Sequence, residues 1–221
     1  MTAKYRSQGK NALIILDGMA ENALHWVEWD SYSLRLAVDG AYDRLRAQAL
    51  LPDLLTGDFD SITRQGLRHA EANNVEIILN DDQDTTDSQK AISLMIERGI
   101  DNADMIGFRG TRIDHELATL SAVAAVTDKI HIRLIDEVAE GWILKGPATR
   151  KIQNAQGRTC SLMPLSTCKS VSLQGFQWPL EQVTLSPGER FACSNVVNDR
   201  SAEVKLLQGI LLLYLHHGTS V

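Results

Sequence analysis

Between residues 12 and 108 the chain places short apolar runs at regular intervals. ALIIL (12–16), LRLAV (34–38), DLL (53–55), VEIIL (75–79) and DMIGF (104–108) are rich in Ile, Leu and Val, and several are bounded by Gly, Asp or Asn. Runs of this length with such flanks predict β-strands. Longer segments between them follow a helical period. SQKAISLMIERG sets Ala91, Ile92, Met95 and Ile96 on one face, and IDHELATLSAVAAV sets Ile113, Leu117, Leu120 and Ala124 on one face. This alternation predicts an α/β fold, a mostly parallel sheet with helices on both faces. The pattern changes near 135–147. From GWILKGPA onward the apolar runs are short and alternating: TCSLMPL, KSVSLQG, QVTLSPG, EVKLLQG and ILLLYLHH, separated by Gly, Pro, Asn and Ser. They predict a C-terminal antiparallel β-sandwich. Two domains are therefore expected, 1–140 and 141–221, joined by a short connection.

Composition narrows the function classes. Of 221 residues, 44% are hydrophobic and 23% charged, the balance of an ordinary globular protein. The formal net charge is -6. That leaves no basic footprint for nucleic acid or an anionic membrane, and a polyanionic substrate would need a local cation. Cys160, Cys168 and Cys193 form no CxxC, so reduced, buried structural thiols are expected. MTAKYRSQGKNALIILDG has no secretory pattern, and the longest apolar runs, such as ILLLYL (210–215), are far too short to span a bilayer. A cytoplasmic soluble protein is the expectation.

Candidate chemistry sits at the strand ends. Asp17 follows the first strand, Asp39 the second, Asp58 and Asp60 the third, and Asp81, Asp82, Asp84 and Asp87 the fourth; Asp114 lies shortly after the fifth. In an open parallel sheet these ends share one rim, where ligands bind. Asp17, Asp81 and Asp82 read singly as turn or capping residues. Asp58 and Asp60 in GDFDSI differ, because a turn rarely needs two carboxylates around a Phe. Such a pair stays in water, shares a proton or holds a cation, and Mg²⁺ suits carboxylate oxygens that leave room for phosphate. Asp87 is expected to cap the next helix. Lys90 in its first turn works against the helix dipole, so it is either solvent-exposed or offset by a phosphate. In GFRGTRIDHELATL, Arg109 and Arg112 offer planar donors for phosphate. Asp114 and His115 open the following helix, where His115 serves as a base, a donor, or a capping and packing residue. Neither GxxxxGK[ST] nor GxGxxG is present, so any nucleotide would be handled by metal-bridged carboxylates with Lys and Arg.

VDGAY (38–42), PDLLTGDFDSI (52–62), DQDTTDSQKAI (82–92) and GFRGTRIDHELA (107–118), in this order, resemble the thiamine pyrophosphokinase family. SLMPLS (161–166), LQGFQWPL (173–180) and CSN (193–195) extend the likeness into the second half. The resemblance implies a homodimer that transfers the diphosphoryl group of ATP to thiamine, with thiamine between protomers. It also implies Mg²⁺ on Asp58, Asp60 and Asp87, with Lys90, Arg112 and Asp114 in the reaction. Asp39, Gly40, Gly57, Thr86 and Arg109 would bind nucleotide or phosphate, and Asp114, His115, Ser194 and Asn195 would bind thiamine. Trp178 is either an aromatic wall for the thiamine rings or a core residue of the β-domain. Two departures, Tyr42 for the usual Asn and Thr111 for Gly, bear on the fit around nucleotide. A non-catalytic sensor on the same scaffold and a metal-dependent nucleotide-sugar transferase stand as alternatives.

Overall fold

The computed structural model describes residues 10–219; the stretch 1–9, read above for a targeting signal, lies outside the described residues. The chain divides into two compact units after Glu137. In the first, six strands form one parallel sheet: β1 (Asn11–Ile15), β2 (Leu34–Val38), β3 (Leu54–Gly57), β4 (Glu76–Leu79), β5 (Asn102–Ile106) and β6 (His131–Ile135). Their spatial order is β6-β5-β1-β2-β3-β4. The chain thus winds outward from β1 to β4, then returns across β1 to lay down β5 and β6. Helices α1 (Ala41–Ala47), α2 (Arg64–Ala72), α3 (Asp87–Glu97) and α4 (Ile113–Ala125) follow β2, β3, β4 and β5. Central strands of such a sheet are covered on both faces, and consecutive residues Leu13, Ile14 and Ile15 are all fully buried.

Three features depart from the periodicity. Strand β6 was not singled out, because His131 and Arg133 interrupt its apolar run; Arg133 is satisfied there by Asp104 at 2.8 Å. Helix α1 has only seven residues and α2 nine, too few for a clear repeat. Helix α4 buries a different face from the one predicted. Ile113 and Leu117 are 73% and 57% exposed, while Thr119, Ala122 and Val123 are buried with Ala124. The segment is apolar nearly all round, so two stripes compete, and the smaller side chains are the ones buried. For α3 the predicted face holds: Ala91, Ile92 and Met95 are buried.

Tyr42, the first departure from the family pattern, lies wholly in the core with its hydroxyl 3.0 Å from His69 Nδ1. Tyr42→Phe is expected to cost about 1 kcal/mol of stability by stranding that ring nitrogen, with activity unchanged. Chemical denaturation alongside an activity assay checks this.

The second unit is a sandwich. One antiparallel sheet runs β12 (Ala192–Val196), β9 (Arg158–Pro164), β14 (Ile210–Thr219), β7 (Ala139–Lys145); the other runs β11 (Leu180–Leu185), β10 (Cys168–Gln174), β13 (Ser201–Leu206), β8 (Ala148–Gln153). Alternation on β14 turns Leu211, Leu213 and Leu215 inward, where they meet Val171, Leu173 and Val204 of the facing sheet. Cys160 and Cys168 are buried as expected, but Cys193 is exposed. Trp178 is not a core residue: it is 55% exposed. Among the described residues, no helix is long and apolar enough to cross a membrane.

Candidate active site

Because β1 to β5 are parallel, the loops that follow them meet along one rim. They enclose a cleft of about 240 Å³ whose lining includes Asp17, Gly18, Asp39, Ser61, Thr86, Asp87, Ser88, Arg109, Gly110, Thr111, Arg112 and His115. One wall is built by backbone. Gly18 N–H donates to Gly107 O at 2.9 Å and Met19 N–H to Arg109 O at 2.8 Å, stitching the loop after β1 to the loop after β5. The approach is so close that a Cβ on Gly18 would lie 2.0 Å from Arg109 O.

Asp39 and Asp87 line the same cleft, and Asp58 and Asp60 lie beside Asp39 at its edge. Strand β3 ends at Gly57, whose φ of 141° suits glycine alone, and Phe59 follows with φ 65°. That left-handed turn seats Phe59 against the core and leaves Asp58 and Asp60 on the solvent side. The expected alternation of side chains is thus achieved by a turn rather than by continued strand. A bulky residue at positive φ is strained, and Asp39 holds it: Asp39 Oδ1 accepts from Phe59 N–H at 2.8 Å. Asp39 is itself left-handed, with φ 47°. Asp39, Asp58 and Asp60 each offer one oxygen within 4.8 Å of the others. Asp87, the third member that the resemblance implies, is not one of these three, and Asp39 is.

Electrostatics bind Asp87 to the same group. Burial, opposed by Lys90 and reinforced by Asp58 and Asp60, raises the Asp87 carboxyl above the usual range. Asp39 is pushed up to about 6, mainly by burial and secondarily by repulsion from Asp87, Asp58 and Asp60, against the Phe59 N–H bond. Asp58 is lowered, first by the Asp60 N–H that donates to it at 3.2 Å. Lys90, with its side chain only 4% exposed, sets Nζ 3.8 Å from Asp87 Oδ1. It is a buried cation beside the acidic group, not a solvent-exposed one.

The cap of α3 also differs from expectation. Thr86, not Asp87, is the N-cap: its Oγ1 accepts from Gln89 N–H, and Gln89 Oε1 accepts from Thr86 N–H at 2.9 Å, a complete capping box. Asp87 is thereby released from capping and lines the cleft. Arg112 pairs with Asp114 at 2.6 Å, and that hydrogen bond lowers the Asp114 carboxyl, making it a weaker base than a free aspartate. Arg109 is held by buried Asp136 at 3.1 Å. Asp136 escaped notice because it follows β6; the rule that flagged the other strand-end aspartates applies to it once that strand is recognised. Gly40 packs under the Asp17 carboxylate.

Ser194 and Asn195 lie on β12 of the second unit. Ser194 is exposed, with φ 57° and its N–H on Ser161 Oγ at 3.0 Å. Asn195 was expected to reach thiamine, but it is 5% exposed and its amide is spent internally. Oδ1 accepts from Trp178 N–H at 3.1 Å and Val196 N–H at 2.8 Å, and Nδ2 donates to Trp178 O at 2.7 Å.

A parallel α/β unit with an acidic cleft at its strand ends, followed by a β-sandwich, defines a class of two-domain α/β protein with a ligand cleft at the rim of its sheet. Residues 26–134 match the thiamin pyrophosphokinase catalytic domain, and residues 149–211 match the thiamin pyrophosphokinase vitamin B1 binding domain. The chain belongs to the thiamine pyrophosphokinase family. Among curated relatives it is similar to thiamine pyrophosphokinase of Bacillus subtilis, 28% identical over 83% of this chain and 87% of that one. It is also similar to thiamine pyrophosphokinase 1 of Oryza sativa subsp. japonica, 26% identical over 80% and 76%. Among solved structures, thiamine pyrophosphokinase from Bacillus subtilis shares the fold with a TM-score of 0.83 at 24% identity, covering 96% of this chain and 100% of that one. Thiamin pyrophosphokinase from Candida albicans does so with a TM-score of 0.84 at 16% identity, covering 95% and 89%.

Proposed function

We propose that this chain, a transferase of that family, moves the diphosphoryl group of ATP to the hydroxyethyl oxygen of thiamine, giving thiamine diphosphate and AMP. The carboxylate trio at the cleft rim carries the proposal. One exposed and one half-buried carboxylate closing on a third that is buried repel one another, and a cation among them relieves that repulsion. Three hard oxygen donors fit Mg²⁺. Asp39, Asp58 and Asp60 would hold it, with Asp87 adding negative charge nearby. When bound, such an ion neutralises phosphate oxygens and helps to orient them.

The remaining work falls to the chain's own groups. Lys90 supplies a fixed positive charge behind Asp87, and the α3 N-terminus, anchored by its capping box, presents Thr86 and Ser88 to the cleft. Arg109 is pre-oriented by Asp136, so little side-chain freedom is lost when it meets an anion. Arg112 has Asp114 as its present partner, and a phosphate oxygen competes for the same donors. Asp114 then serves as an acceptor that orients the thiamine end. On the second unit, the exposed indole of Trp178 gives the cationic thiazolium ring an aromatic face. We read the active form as a cytoplasmic homodimer, for which sedimentation at twice the monomer mass is the expected result and a monomer at working concentration the contrary one.

Incubation with ATP, Mg²⁺ and thiamine is expected to yield AMP and thiamine diphosphate in equal amounts. Saturable thiamine binding with no AMP would make the chain a sensor instead. Ser194→Ala removes a hydroxyl from the exposed part of β12 and is expected to raise KM for thiamine several-fold, roughly the loss of one hydrogen bond, with KM for ATP unchanged. Equal rises in both constants would remove Ser194 from the thiamine site.

A further inference from the structure

The second unit contains an arrangement that joins two of its exposed features through a buried one. The β12–β9 ladder pairs Ala192 with Leu162 and Asn195 with Cys160, with an irregularity between, so Cys193 and Ser194 leave the regular register. From Asn195 onward β12 supports a second segment. Gln177 N–H donates to Val196 O at 2.9 Å, Asn198 N–H donates to Gly175 O at 2.9 Å, and Phe176 bridges Val197. Residues 175–177 are therefore laid on 196–198 by backbone hydrogen bonds. Trp178 is the next residue, and Pro179 follows it without an N–H to donate. The Asn195 amide takes over at this point, gripping Trp178 at both its N–H and its carbonyl. The side chain so anchored is largely in solvent, although its backbone is fixed at both ends.

We propose that Asn195 is a positioning residue for thiamine. It fixes the Trp178 backbone so that the indole stands ready as an aromatic face, and does not itself touch the ligand. The proposal rests on the assignment of Trp178 as the wall for the thiazolium ring. Buried Asn amides with every polar group paired specify geometry, because any other rotamer strands donors and acceptors away from water. Holding the indole in advance removes an ordering cost from each binding event.

The test is a double-mutant cycle read by calorimetry, which needs no turnover: Trp178→Ala, Asn195→Ala and the double variant, each titrated with thiamine and separately with ATP and Mg²⁺. Each single variant is expected to weaken thiamine by about tenfold with ATP affinity unchanged. The double variant is expected to bind thiamine no more weakly than Trp178→Ala alone. Multiplied losses in the double variant would mean that Asn195 contacts thiamine directly. Parallel losses of thiamine and ATP affinity in Asn195→Ala would mean general damage; either result overturns the proposal. If Trp178→Ala leaves thiamine affinity intact, the wall assignment itself fails, and the positioning role fails with it. Should Asn195→Ala not fold, Asn195→Asp replaces it in the cycle, keeping the acceptor toward Trp178 and Val196 and losing only the donor to Trp178 O.

Discussion

Asp60→Ala is expected to lower kcat by about 10²- to 10³-fold, the scale on which an electrostatic group at a reacting centre is felt. The fold should persist, because Asp60 is exposed and its carboxylate accepts locally, from the neighbouring Ser61 hydroxyl at 2.7 Å. The loss should shrink as Mg²⁺ is raised, since a site with two carboxylates binds the ion more weakly than one with three. Steady-state rates across a magnesium titration check both points. Near-normal activity at limiting magnesium would end the assignment of this group as an ion-holding site.

Gly57→Ala should do comparable damage from a residue with no chemistry of its own. Its φ of 141° is hostile to any side chain, and an added Cβ would lie 2.2 Å from Asp39 Oδ2. Asp39 cannot easily swing aside, because Phe59 N–H holds its other oxygen. The substitution therefore sets backbone strain against displacement of the buried carboxylate. A loss of about 1–3 kcal/mol in stability is expected together with a fall in activity of at least about tenfold. Thermal unfolding and turnover measured on the same preparation would reveal it. A variant of normal stability and normal rate would show that the turn after β3 tolerates a side chain, and that Asp39 is not held where its contacts place it.

Much of this cleft is legible in the sequence, because a parallel strand announces its end by an apolar run that stops at Asp or Gly. Asp39, Asp58, Asp60 and Asp87 were all found in that way. Which of them converge is a different question. The trio depends on left-handed backbone at Asp39 and Phe59, and no apolar pattern encodes a single dihedral angle. Asp87 was expected to cap α3 because aspartate is a common cap, and Thr86 takes that position through a capping box with Gln89 that residue type alone did not single out. Helix α4 shows the limit of periodicity: two stripes fit the same letters, and close packing of Thr119 and Ala122 decided between them. Trp178 shows the limit of residue-type averages. Its side chain is exposed while its backbone N–H and carbonyl are held by Asn195, seventeen positions away, a pairing that no residue-type average contains.

The strand order has a consequence of its own. Since β1 lies between β2 and β5, the chain departs from β1 in one direction and later resumes on its other side. The gap at the top of the sheet is thus a product of winding, and no single side chain holds it open. A substitution at its border that keeps the strand order leaves the gap in place, except where two loops meet as closely as at Gly18. Thr111, which lines the cleft, changes the surface that the opening offers, whereas Tyr42 is buried outside that lining, and the opening itself stays in place in both cases.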